Sequence, residues 1–288
     1  MLTATSEMRF ADTRVTSAVM LATRFRAQLV WRDQLLFDSR FNVPHRAMRD
    51  FVTLYLIHAG EVEVGGVTHS GPVAFVAAQC EYEQFTSTAL HIRSWGEPCV
   101  ALDVLLPRED VCAPIGLAHG PLETSAETWT ALSAIAEALV VGHSIVGPML
   151  DVMRTLAACG ITTPATVVEE VDPPSIVRLW ETLVPFYSRW DTSLELVDLA
   201  EAAMLSSRQL SRDARLLLAR FGLDDAKFRD VIVIFRLRLA CLLLSARWAT
   251  LPEVATRVGY GSLDAMGRAF RDAGLPPPSE IRKHVHTD

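Results

Sequence analysis

Thr250-Leu251-Pro252-Glu253-Val254-Ala255-Thr256-Arg257-Val258-Gly259-Tyr260-Gly261-Ser262-Leu263-Asp264-Ala265-Met266-Gly267-Arg268-Ala269-Phe270-Arg271 is the stretch that decides the architecture of this chain. Thr250 followed three residues later by Glu253 is a capping box, and Pro252 falls in the first turn, where its missing N–H costs nothing. Val254, Ala255 and Val258 share one helical face. Gly259 ends that helix where a left-handed residue is cheapest. Ser262 then caps a second helix, with Met266 and Phe270 turned inward and Arg268 and Arg271 outward. A short helix, a glycine turn and a helix with exposed arginines make a helix-turn-helix, the shape that lays a helix in a DNA major groove.

A second such unit lies upstream. Ser193 is a plausible N-cap for a helix carrying Leu194, Leu196, Val197, Leu199, Ala200 and Ala203, and a turn at Met204-Leu205 leads into Ser206-Ser207-Arg208-Gln209-Leu210-Ser211-Arg212. Leu210 faces the core there, while Ser207, Arg208, Gln209, Ser211, Arg212 and Arg215 face outward. Arg matches guanine bidentately and Gln does the same for adenine. In the second unit the corresponding outward set is Ser262, Leu263, Asp264, Arg268 and Arg271; Asp264 repels phosphate, so it either accepts from a cytosine amine or stays clear of DNA. Each set competes with the plainer reading of a solvated helix face. Between the units, Phe235 to Leu244 reads as a long, mostly buried helix that fixes their separation.

Two helix-turn-helix units joined by a helix with Arg236, Leu237, Ala240, Leu243 and Leu244 resemble the DNA-binding domain of the AraC/XylS family of bacterial transcription regulators. The second unit carries most of the likeness, through Val254-Ala255, Val258-Gly259-Tyr260, Ser262, Arg268-Ala269-Phe270-Arg271, Pro278 and Arg282. The resemblance spans about residues 193–283. It implies promoter DNA as partner, a homodimer, RNA polymerase as a further contact, and a cupin-like N-terminal barrel that senses a small molecule or a protein. The chain departs from the family pattern in its first unit. Ala214 stands where an aromatic is usual, and the stretch from Arg212 to Arg236 is longer than usual by roughly six residues. In the second unit Met266 replaces a usual Phe. The rival reading is therefore a regulator whose first unit is degenerate and which works through a protein partner.

At 288 residues the chain can bury two cores. Half of it is hydrophobic and 21% is charged, as in ordinary soluble proteins. No apolar run is long enough to span a bilayer, and the mixed charges of Met1 to Arg14 are neither secretory signal nor transit peptide. Five scattered cysteines without a Cys-x-x-Cys pair point away from disulfides and structural zinc, and so to a reduced cytoplasm. The net charge of −7 argues against a nucleic-acid partner until the chain is divided. Residues 1–192 hold 13 Arg and no Lys against 22 acids, whereas residues 193–288 hold 14 basic residues against 12 acids. The tail, at +2, carries the positive share, though weakly enough that affinity leans on a dimer or on well-placed contacts.

From about Ala18 to Leu106 short apolar runs alternate with glycine turns, among them Gly60 and Gly65-Gly66, and suggest a small barrel or sandwich. Glu127 to Val141 and Val146 to Cys159 have helical spacing and read either as packing against the barrel or as the dimer surface. Thr162 to Pro174 is the linker, and Ser175 to Trp190 a connecting helix. The expected fold is α+β in two domains: a cupin-like β-barrel with a helical dimerisation segment over 1–160, linker and connecting helix over 161–192, and an all-α double helix-turn-helix over 193–288.

His45, His58, His69 and His91 invite a metal reading, but no His-x-His pair supports one, and no cofactor is expected. Tyr55, His58, Tyr82 and Trp95 are the candidate effector contacts, set against the more usual role of strand aromatics as core. No Ser/His/Asp arrangement, phosphate loop or dinucleotide fingerprint is present, so the chain does not read as an enzyme. A cupin-type enzyme with a helical tail is the remaining alternative, and the missing His-x-His argues against it.

Overall fold

The computed structural model describes residues 1–41, 50–78, 89–141, 143–161, 171–190, 195–221, 223 and 226–287. The strands begin earlier than the sequence suggested. β1 (Leu2–Phe10) and β2 (Thr13–Leu21) form a hairpin whose loop is Ala11-Asp12. Leu2, Ala4, Ser6 and Met8 are buried while the residues between them are exposed, the alternation of a strand with one covered face. Then follow β3 (Arg26–Asp33), β4 (Leu36–Asp38), β5 (Phe51–Ala59), β6 (Glu61–Val64), β7 (Val67–Ser70), β8 (Val73–Ala78), β9 (Leu90–Arg93) and β10 (Cys99–Pro107).

These strands form two antiparallel sheets, β1-β2-β3-β10-β5-β8 and β4-β9-β6-β7, and among the described residues no ladder closes them into the barrel expected from the sequence. One face of the larger sheet, with Ala18, Met20, Leu29, Leu54, Leu56 and Leu102, is covered by α1 (Ala126–Val141) and α2 (Val146–Thr155) through Leu132, Ile135, Met149, Val152 and Met153. The block with helical spacing thus packs on the sheet, one of its two expected roles. Tyr55, Ile57, Phe75 and Ala101, on the opposite face, meet Val62, Val64, Leu90 and Ile92 of the smaller sheet.

The rest of that second face, at the β1–β3 end, is covered by the helical half of the chain. α3 (Pro174–Ser188) lies on β1, where Trp180 Nε1 donates to the Thr3 carbonyl at 2.9 Å. α4 (Leu196–Ala202) and α5 (Ser207–Ala219) make up the first helix-turn-helix; Leu199, Leu210, Ala214 and Leu217 share a core with Leu2, Ala4, Val19 and Leu21. Ser193, the expected helix cap, lies outside the described residues, and α4 starts after Glu195. α6 (Phe228–Leu243) leads to the second unit, α7 (Leu251–Arg257) and α8 (Leu263–Asp272), and α9 (Pro278–Thr287) closes the chain. Leu237, Ala240, Leu243, Val254, Met266 and Phe270 form one cluster that also takes in Met8, Val15, Val30 and Leu36. Among the described residues no helix is long and apolar enough to cross a membrane.

Candidate nucleic-acid interface and the cavity behind it

The second unit is built as its sequence prescribes. Thr250 caps α7: its N–H donates to Glu253 Oε2 at 2.7 Å, and its hydroxyl accepts from the Glu253 N–H at 3.4 Å. The Thr250 N–H and hydroxyl, both donating to Glu253 Oε2, hold the Glu253 carboxyl below its usual range. Gly259 turns the chain at φ +83°, the left-handed conformation that a side chain penalises. Ser262 caps α8 by accepting from the Ala265 N–H at 3.1 Å. Val254, Val258, Met266 and Phe270 are fully buried beneath, and Leu263, Asp264, Arg268 and Arg271 remain on the outside. Arg282 of α9 donates to the carbonyls of Ala246 and Arg247, tying α9 to the end of α6. The Arg236 guanidinium lies 5.8 Å from the Tyr260 ring centre, which joins the connecting helix to the turn of the second unit.

The first unit contains a feature that the sequence reading passed over. Ser206 and Gln209 form a second capping box, in which Gln209 Oε1 accepts from the Ser206 N–H at 3.1 Å and from its hydroxyl at 2.7 Å. The signal was the spacing Ser206-x-x-Gln209, the same pattern as Thr250-x-x-Glu253. The Gln209 carbonyl oxygen therefore serves the helix start, so a bidentate adenine contact requires the cap to open. Arg212 Nε donates to buried Asp213 at 3.0 Å. Ser207, Arg208, Ser211 and Arg215 are exposed, and among the described residues Arg208 and Arg215 have no ion pair. Met204 turns between α4 and α5 at φ +53° without being glycine.

Behind these helices is a cavity of about 330 Å³. Its floor is the second face of the larger sheet, its walls are α3 and α6, and the end of α5 contributes Leu217 and Leu218. Most of the lining is apolar, including Val15, Val30, Phe186, Phe228, Phe235 and Leu242. The floor, however, carries Arg26, Gln28 and Arg32 on β3 and Asp103 on β10. Gln28 and Asp103 are direct cross-strand neighbours. Arg32 reaches Asp103 at 3.7 Å. Arg26 Nε, Arg32 Nε and Nη1, and Asp103 Oδ1 are buried without a hydrogen-bond partner among the described residues. Burial pushes Arg26 below and Asp103 above their ordinary values, the latter against the opposing pull of Arg32 and Arg26. Uncompensated polar atoms of this kind cost on the order of 1–3 kcal/mol each, and a cavity that retains them can recover the cost from a ligand with matching groups.

Of the three expected effector contacts that are described, Tyr55 lines this cavity and His58 and Trp95 do not. His58 is half-buried on the α1 side, with Nε2 3.4 Å from the Ser133 hydroxyl, and burial lowers its pKa. Trp95 packs against the helical half instead, stacked on His286 at 5.8 Å with the Arg247 guanidinium 4.8 Å from its ring centre. Tyr82 lies outside the described residues. Arg26, Arg32 and Asp103 were not anticipated. Their trace in the sequence is the alternation Arg26-Ala27-Gln28-Leu29, which places polar side chains at every second position of a strand whose other face is core. Among the described residues no group of three or more His, Cys, Asp or Glu is placed to hold a metal ion.

No family model matches the chain, and no curated protein does. Solved structures of similar shape include ToxT from Vibrio cholerae, at 10% identity over 90% of this chain and 98% of that one, TM-score 0.35. Unsaturated fatty acid bound wild-type ToxT from strain SCE256 matches at 12% identity over 98% and 99%, TM-score 0.36. The AraC-like transcriptional activator CuxR matches at 13% identity over 88% and 84%, TM-score 0.25. At such identities and scores the likeness is a loose one.

Proposed function

We propose that this chain is a sequence-specific DNA-binding transcription regulator of the AraC/XylS type, whose two reading helices are α5 and α8 and whose effector is a small molecule. The observation that carries the reading is the pair of capped helix-turn-helix units, each with its inner residues buried and its polar face exposed. Arg208 and Arg215, exposed on α5 and without an ion pair among the described residues, favour a working first unit over a degenerate one. The effector occupies the cavity between sheet and helices. There the unsatisfied polar atoms of Arg26, Arg32 and Asp103 set the polar end of the ligand and the aromatic and aliphatic walls its apolar body. A homodimer doubles the phosphate contacts that a tail of +2 makes weakly on its own.

The test is an electrophoretic shift on genomic fragments with a salt titration. Specific binding that weakens as salt rises is expected. Arg208→Ala with Arg215→Ala should lower affinity for the selected fragment at least about tenfold, since each base-reading Arg is worth roughly 1–3 kcal/mol. Absence of any sequence-specific shift, or full specific affinity in the double variant, contradicts the reading or its first head respectively.

A further inference from the structure

We propose that a basic concavity between α9 and the start of α7 holds a phosphate of the DNA backbone, and that Trp95 of the strand-rich half positions the groups that hold it. The proposal rests on the reading of the chain as a DNA-binding protein and adds a contact outside both reading helices.

The concavity measures about 420 Å³, opens to solvent, and is lined by Arg247, Leu251, Ser279, Arg282, Lys283 and His286. Four of these six can carry positive charge, Ser279 adds a hydroxyl, and none is acidic. Like charges gathered at one site repel one another, and an anion seated among them relieves that repulsion. Two acids, Glu253 and Glu280, lie close in sequence, yet neither lines the concavity. The Glu253 carboxyl is taken up by the N–H and hydroxyl of Thr250, both at 2.7 Å. Burial, and then repulsion from Arg282 and Arg247, lower the His286 pKa against a backbone hydrogen bond at Leu244 that raises it. The field inside is therefore positive, the complement of a phosphate.

Several of these groups are held in place before any ligand arrives. Arg282 donates to the Ala246 and Arg247 carbonyls, which pins α9 to the end of α6. The Trp95 ring is stacked on His286 with the two planes 7° apart, and the Arg247 guanidinium lies 4.8 Å from its centre. One indole thus orients two members of the basic set. A guanidinium over a ring still directs its N–H groups outward in its own plane. Donors oriented in advance lose less freedom on binding than flexible ones.

The position relative to DNA follows from the motif. In a helix-turn-helix the second helix enters the groove and the first crosses the backbone. The first helix of the second unit is α7, and Leu251 in its opening turn forms one edge of the concavity. The basic set therefore sits beside the helix that passes over phosphates. A contact there adds affinity without sequence preference, which a weakly basic tail needs.

The experiment is a salt titration of the full chain on two duplexes, one that it selects and one of arbitrary sequence, comparing the parent with Arg247→Ala. Loss of one phosphate contact lowers the slope of log affinity against log salt by about 0.9 and weakens binding roughly tenfold at about 0.1 M salt. The proposal expects that change in Arg247→Ala, equal on both duplexes. Trp95→Ala reproduces it, and Trp95→Phe, which keeps a ring facing Arg247, restores the parent slope. Arg154→Ala, which removes the same charge from the exposed side of α2, leaves the slope unchanged. An unchanged slope in Arg247→Ala, or an equal change in Arg154→Ala, overturns the proposal. So does a loss confined to the selected duplex, which makes Arg247 a base reader. If Trp95→Ala fails to fold, the exposed Arg247→Ala still decides the phosphate contact. Saturable binding of inorganic phosphate at constant ionic strength, with equal duplex slopes in parent and Arg247→Ala, assigns the concavity to a free anion and overturns the proposal. A parent that binds without sequence preference, yet loses slope in Arg247→Ala, ends the regulator reading and leaves the phosphate contact standing. A parent that binds neither duplex ends both.

Discussion

Asp38 shows how a single residue joins the two halves. Its carboxylate is almost fully buried at the end of β4, 2.7 Å from Arg40 Nη2, 3.4 Å from His91 Nε2 and 3.7 Å from His284 Nε2 on α9. Burial opposes its ionisation, but the bonds from His91 and Arg40 prevail, and its pKa lies at about 2, below the ordinary 3.8. A lowered carboxyl pKa contributes stability that is complete above the unfolded value and is lost as pH falls through the folded one. Asp38→Asn should therefore cost about 2 kcal/mol at pH 7, a penalty that shrinks as pH is lowered from 3.8 towards 2. Denaturant unfolding of both proteins across that range is the measurement, and a penalty that does not vary with pH contradicts this account. Nothing in the sequence pointed to Asp38, because beside its neighbour Arg40 its partners His91 and His284 come from two segments far along the chain.

At the scale of elements, legibility followed local chemistry. The capping box at Thr250, the turn at Gly259 and the buried positions Met266 and Phe270 were all readable, because each depends on residues within one or two turns of helix. Gly259→Ala forces a side chain into a left-handed conformation and should lower stability by about 1 kcal/mol. Gly261, which has open space around it, is the control, and Gly261→Ala should cost less. Thermal unfolding of the two variants compares them; equal losses would mean that the turn is not held as described. The β1–β2 hairpin escaped notice for a related reason. Its loop is Ala11-Asp12, with Ala11 at φ +51°, so the glycine or asparagine that usually announces such a turn is missing. Gln209 was read for its outward direction and not for its reach back to Ser206, although the spacing for both was present. The cavity was illegible because its lining comes from the sheet, α3, α5, α6 and α9, a meeting that only tertiary packing produces.

Over the whole molecule, the division into a strand-rich first half and a helical second half holds for the order of elements but not for the cores. Met8, Val15 and Val30 of the sheet are buried in the same cluster as Val254 and Phe270, and the Leu36 N–H donates to the Ser245 hydroxyl at 2.8 Å. Trp95 is stacked on His286, and Arg247 also faces its ring. Charge and motif located the tail, while nothing local indicated how deeply it seats on the sheet, since burial between distant segments leaves only the general signature of apolar residues. This seating still leaves the outer faces of α5 and α8 open to solvent, and two open reading faces on one molecule are what the proposed function requires. Base-resolved footprinting of the full chain on a fragment that it selects tests this most directly. Protection of two successive major grooves on one face of the duplex, roughly 34 Å apart, is the expected result. Protection confined to a single groove, or spread without sequence preference, would contradict the account.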